Sequence, residues 1–259
     1  MLKVYLNAFL ILSFSPALAQ PTATKDATAI SIVQQSLTAM GSGQNFTDVQ
    51  GDGTTTAYGD SGAVTQPITL QATGTANVRT TITKASGTKT FLTDGSGVCT
   101  DGVAVPLSPD AQSDMSLRRI DFVPALSILN HYADPSIQVQ YVGADSSSGA
   151  LADVVALTFI PPGLIPGLDG FQAQQRIFFI DRATSLVSKV QSTSTGASSP
   201  QAEVVFAKYQ TISGFAVPMD QATYIDGNLA QELSFTSVAF NTGLDSSLFA
   251  MTCEVSNGQ

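Results

Sequence analysis

Few residues in this chain could do chemistry by their type and spacing. Its 259 residues hold one histidine, His131, two cysteines, Cys99 and Cys253, and no tryptophan. Gly59-Asp60-Ser61-Gly62 has the form of a segment that presents a nucleophilic serine. Such a segment carries a further glycine next, here Ala63, and needs its histidine base earlier in the chain, whereas His131 comes later. A β-turn is the expectation there. No G-x-S-x-G elbow and no G-x-x-x-x-G-K-[ST] loop is present. Asp94-Gly95-Ser96-Gly97 and Asp101-Gly102 could suggest a calcium loop, but the twelfth position is Val105 rather than Glu. Two tight turns around Val98 and Cys99 account for the same residues. His131, beside Tyr132 and Asp134, would make a weak zinc site and suits a helix C-terminus instead. No catalytic residue, metal ligand or cofactor is expected.

Two features remain. Neither Cys99 nor Cys253 belongs to a C-x-x-C pair. They read as a structural disulfide, as a free buried pair or as catalytic thiols. A bridge would tie an early hairpin to the C-terminal tail. Pro161-Pro162-Gly163-Leu164-Ile165-Pro166-Gly167-Leu168 is an apolar loop between two predicted strands. Loops usually face water and carry polar residues. Leu164, Ile165 and Leu168 read either as a flap over the protein's own core or as a lip that contacts an apolar ligand.

Charge restricts the partners. Lys plus Arg is 11 against 20 Asp plus Glu, a net charge of −9 with pI ≈ 4.3. Phosphate contacts need a basic face, so nucleic acid is excluded as a general partner, as is electrostatic docking to anionic lipid. Only 12% of residues are charged and 43% are hydrophobic, which argues for a folded chain. Residues 1–19 read as a signal peptide: Lys3, then an apolar run from Val4 to Phe14, then Ala17-Leu18-Ala19 as a small-x-small cleavage site. The run is too short to span a bilayer, and no later stretch is long enough for stable membrane insertion. Cleavage after Ala19 would leave Gln20 first, with no cysteine there for lipid attachment. The expectation is a periplasmic or secreted monomer, with residues 20–259 as one domain and its cysteines in an oxidising compartment.

The elements that would position any site are mostly strands. Asp26 is a good N-cap, Ile30, Val33, Leu37 and Met40 recur at helical spacing, and Gly41 stops the pattern. That predicts a helix over about 27–40 with one apolar stripe, which must pack on a sheet. From Gln44 the texture turns to Thr, Ser, Gly and Val with frequent turn signals, including Gly51-Asp52-Gly53, which predicts an antiparallel meander. Threonine suits a pleated surface and can solvate it without charge. Residues 106–132 read as a helical pair, with starts at Ser108-Pro109 and at Asp121. Strands then run to the end, from Ile137-Val139-Tyr141 through Val154–Ile160, Arg176–Asp181, Leu186–Gln191, Glu203–Tyr209, Ala216–Tyr224 and Glu232–Phe240.

In the C-terminal half three segments form a pattern. Phe178-Phe179-Ile180-Asp181-Arg182-Ala183-Thr184-Ser185-Leu186 is followed by Tyr209-Gln210-Thr211-Ile212-Ser213-Gly214-Phe215-Ala216-Val217-Pro218. Phe235 to Asn241 then precedes Leu244 to Phe249. In order and spacing these resemble the hairpins and closing strand of the periplasmic lipoprotein-carrier-like (LolA/LolB-like) superfamily. The resemblance implies an α+β fold: a strongly curved antiparallel sheet, an incomplete β-barrel, with the N-terminal helix and the mid-chain helical pair on its concave side. It also implies an apolar concavity that holds an acyl chain, a lipid or a lipoprotein. Each buried CH₂ contributes ~0.8 kcal/mol, so a long acyl chain needs no polar chemistry to bind. The alternatives are an interaction domain whose cavity is filled by side chains such as Phe91, Phe122, Phe159 and Phe178, and a hydrolase of unrecognised type.

Overall fold

The structure is a computed structural model that describes residues 24–74, 77–93, 98–105, 120–146, 149–160, 174–194, 201–250 and 253. Its one α-helix among them, α1 (Ala27–Ala39), starts where the sequence says it should. The Asp26 carboxylate accepts from the backbone N–H groups of Thr28 and Ala29. Ala29, Val33, Leu37 and Met40 are buried along its apolar stripe.

Among the described residues, thirteen strands form one antiparallel sheet. The first six are β1 (Asp48–Gly59), β2 (Gly62–Thr73), β3 (Asn77–Lys84), β4 (Gly87–Thr93), β5 (Val98–Thr100) and β6 (Val103–Val105). The rest are β7 (Ile137–Asp145), β8 (Ala152–Phe159), β9 (Gln174–Asp181), β10 (Val187–Ser194), β11 (Ala202–Ile212), β12 (Phe215–Ile225) and β13 (Asn228–Phe240). The spatial order is β6-β5-β4-β3-β2-β1-β13-β12-β11-β10-β9-β8-β7. Each half is a simple meander, and the halves join where β1 pairs with β13. The edges are β6 and β7, so the sheet is not closed.

Leu70 on β2 and Phe178 on β9 line one cavity although six strand spacings separate β2 from β9 in the sheet order. In a flat sheet ~4.8 Å per strand would set them roughly 30 Å apart. The sheet therefore curls strongly, and its inner face carries a single core. Ile68, Leu70, Phe178, Ile180, Phe206, Phe215, Phe235 and Phe240 belong to it with α1. Phe215 stacks on Phe240 at 4.4 Å between ring centroids. The edge strand β7 is partly covered by the lead-in to α1. Asp26 N donates to Val139 O at 2.9 Å, and Val139 N donates to Thr24 O at 3.0 Å. This blunts an edge that would otherwise recruit another strand.

Two local expectations change. Gly51-Asp52-Gly53 is not a turn but the interior of β1, at a bulge opposite β13. A Cβ on Gly51 would stand 2.6 Å from the Phe235 ring, and one on Gly53 would stand 2.0 Å from the Ser234 carbonyl oxygen. The glycines let β13 lie close. The second member of the helical pair is two 3₁₀ turns, Pro124–Leu126 and Ile128–His131, rather than one α-helix. Ser127 breaks it: its backbone is extended, and its hydroxyl accepts from Leu129 N. The first member falls within residues 106–119, outside the described residues.

The outer face is solvated largely by neutral polar side chains. Gln71 donates to Gln50, Gln50 to Asp52, and Thr69 to Asp52, each at 2.7–2.9 Å. Thr56 and Thr65 meet at 2.8 Å. Register also puts Gln71, Arg79, Leu92 and Cys99 in one row across that face. The C-terminal tail crosses this row: Arg79 Nη1 donates to Leu248 O, and Cys253 is bonded to Cys99.

Candidate functional site

Residues 120–136 of the crossover from β6 to β7 are described, and their turns lie in the concavity. Phe122, Val123, Ala125, Ile128 and Leu129 are buried in the core. The Phe122 ring lies 5.8 Å from that of Phe235. Gln221, itself buried, donates Nε2 to the Phe122 carbonyl at 2.9 Å. This bond ties the crossover to β12 and satisfies a carbonyl that would otherwise be stranded.

Beneath this roof is a cavity of about 370 Å³. Strand parity supplies its walls. Phe178 pairs with Val190, and Val190 with Val204, so these three side chains share the inner face. Phe206 continues the wall, while Leu70 and Val78 approach from the other half of the sheet. Phe122, Pro124 and Ile128 close it from the crossover. Polar groups interrupt this lining at Thr93, Asp121, Ser127, Arg176, Ser192, Gln221, Thr223 and Gln231. Gln231 donates to Thr55 Oγ1 at 2.7 Å. The volume lies within the ~300–1,000 Å³ of typical small-molecule sites, which combine apolar walls with a few polar groups. Phe122 and Phe178 do face the cavity, but they line it and leave this space.

The motif residues serve the frame instead. Asp181 Oδ1 accepts from Thr184 Oγ1, Thr184 N and Ala183 N, and bonds from Thr184 hold its carboxyl below the usual range. Tyr209 donates its hydroxyl to Val187 O at 2.6 Å, and burial pushes its phenol well up. Asn241 accepts from Thr47 N at 2.8 Å and donates to Asn45 O at 2.9 Å. Next to it the buried Asp48 carboxylate accepts from Thr47 Oγ1, Thr242 N, Thr242 Oγ1 and Gly243 N. These bonds clasp the tail to the start of β1.

The other candidates resolve as follows. Cys99 and Cys253 are bonded, with Cα atoms 6.0 Å apart at a sequence separation of 154. Gly59 pairs with Gly62, so Asp60-Ser61 is the tip of the β1–β2 hairpin and no nucleophile site. Asp101-Gly102 is the β5–β6 turn, both residues having positive φ as a two-residue hairpin requires. His131 ends the second 3₁₀ turn. Asp94–Gly97 lies outside the described residues, as do Leu164, Ile165 and Leu168. Among the described residues, no group of three or more His, Cys, Asp or Glu is placed to hold a metal ion. No helix there is long and apolar enough to cross a membrane. The sequence reading missed Arg176, Gln221, Thr223 and Gln231. Their only signal was parity: Arg176 stands two residues before Phe178, on the same side of its strand.

No protein-family model and no curated protein matches the chain. Solved structures do. A Vibrio parahaemolyticus domain described as an outer membrane lipoprotein-sorting protein shares 12% identity over 86% of this chain and 96% of that one, with a TM-score of 0.57. A LolA superfamily protein from Nitrosomonas europaea shares 14% over 86% and 97%, also at 0.57. A DUF1329 family protein from Desulfovibrio piger shares 8% over 86% and 97%, at 0.54. With an unclosed antiparallel sheet, an N-terminal helix and a crossover inside the curl, the chain has a LolA-like fold.

Proposed function

We propose that this protein is an exported, non-enzymatic binder that holds an acyl chain, of a lipid or a lipoprotein, inside its half-barrel. The observation that carries the reading is the cavity of about 370 Å³ between the crossover and both halves of the sheet. Phe178, Val190, Val204, Phe206, Leu70 and Phe122 give it apolar walls. Sheltering an acyl chain there releases ~0.8 kcal/mol per CH₂ and requires no reactive group. The name of the Vibrio parahaemolyticus neighbour, a lipoprotein-sorting protein, supports the same reading. Export rests on the signal segment ending at Ala19. It acts as a monomer in the periplasm or outside the cell.

The test is mass spectrometry of organic extracts from the protein purified out of the cell envelope. Co-purified acyl lipids near one per chain, and a mature N-terminus at Gln20, are the expected results. A chain that carries none, and that takes up no fluorescent fatty acid after delipidation, overturns the reading.

A further inference from the structure

We infer that the cavity takes an acyl chain whose head group is uncharged and carries free hydroxyls, as in a monoacylglycerol, with those hydroxyls bonded to Gln221 and Thr223. This rests on the acyl-binding reading above and adds the class of ligand. Gln221 and Thr223 both line the cavity from β12. Two residues apart on one strand, they share its inner face at a spacing of roughly 7 Å. Gln221 is only 9% exposed, and the crossover orients its amide. The Phe122 carbonyl can only accept, so Nε2 is the atom that meets it, at 2.9 Å, and Oε1 is left as an acceptor. Among the described residues, neither Gln221 Oε1 nor the Thr223 hydroxyl has a hydrogen-bond partner.

An amide oxygen in such a place calls for a donor. A hydroxyl supplies one, and the Thr223 hydroxyl can donate or accept in return. A fatty acid anion brings acceptors only, so it gives Oε1 no donor, and the chain's net charge of −9 opposes it further. Arg176 and Asp121, the charged residues of the wall, already have interactions within the protein, and a charged head group would have to compete with them. A hydroxyl needs no counter-charge. The path of the chain follows from register: Thr223 pairs with Val204, and Val204 with Val190, so an acyl chain leaving Thr223 runs onto apolar side chains that end at Phe178.

The experiment is competition against a fluorescent fatty acid on the delipidated protein, with probes that share one myristoyl chain. They are monomyristoylglycerol, the same ester with both glycerol hydroxyls O-methylated, and myristate; glycerol supplies the head group without a chain. Monomyristoylglycerol should bind about tenfold tighter than the methylated ester and than myristate, and glycerol should not compete. Thr223→Val keeps the shape of the side chain and removes its hydroxyl. It should weaken monomyristoylglycerol by about fivefold and leave the methylated ester unchanged. Gln221→Met should bring the two esters close to equal affinity. Because Thr223 is only half-buried, its variant and the pair of esters decide the question even if the Gln221 variant folds poorly. Equal affinity for the two esters, or tighter binding of myristate, overturns hydroxyl recognition and leaves the acyl site standing. Thr223→Val weakening both esters alike overturns the bond to Thr223. Failure of every acyl probe overturns both readings.

Discussion

Gln221 on β12 donates its side-chain N–H to the backbone carbonyl of Phe122, 2.9 Å away across 99 residues of sequence. That bond joins the described turn of the crossover to a central strand of the sheet. Gln221→Met keeps the volume but leaves a buried carbonyl without its donor. Stability should fall by about 1–3 kcal/mol, read as a lower urea midpoint. An unchanged midpoint would show that the carbonyl finds another partner.

Filling the cavity should separate binding from folding. Val204 lies in the wall between Val190 on one side and Thr223 on the other. Val204→Phe would extend a ring into space that is empty of protein atoms. Uptake of a fluorescent fatty acid should fall by about tenfold or more, with little change in melting temperature. A filled variant that binds as well as the original would place the ligand elsewhere.

Acid should loosen the tail. Burial alone would raise the Asp48 carboxyl, but bonds from Thr242, Thr47 and Gly243 outweigh it and hold the group below its ordinary value. A carboxyl depressed in the folded state adds stability above its unfolded value of about 3.9 and loses it as pH falls through the lower folded value. Stability measured by denaturant should therefore drop below about pH 4. Asp48→Asn should cost about 1–3 kcal/mol at neutral pH, because an amide N–H₂ cannot accept, and should flatten that acid limb. An acid limb of the same depth in the variant would assign it to other carboxylates.

The Cys99–Cys253 bond closes a long loop and holds the tail on the outer face. Cys99→Ser with Cys253→Ser should lower stability by about 2–5 kcal/mol. The native protein under reductant should unfold like the double variant. If reductant changes nothing while the variant is weak, the loss lies in packing around buried Cys99.

The C-terminal strands, the helix at 27–39 and the hairpin turns were legible because each depends on neighbours within a few residues. Asp26 caps locally, Asp181 bonds to Thr184 three residues on, and Gly59-Asp60-Ser61-Gly62 closes its own hairpin. Gly51 and Gly53 misled because their glycines answer to Phe235 and Ser234 on a strand far along the chain. The crossover misled at Ser127 because a local hydroxyl bond and burial favour 3₁₀ turns over one α-helix.

By itself the sequence determined the class of fold and the faces of its strands, since alternation decides which side chains turn inward. It also determined that the chain is poor in reactive groups. The tertiary structure decided which inward faces meet. Arg176 and Phe178 were always on one side of β9, and Asp121 always preceded Phe122. Only the curl of the sheet and the return of the crossover put them around one cavity with Leu70. It also decided between the readings of Cys99 and Cys253. The physical reason is range: cap, turn and alternation act over a few residues, whereas a cavity is made by groups that sequence places more than a hundred residues apart.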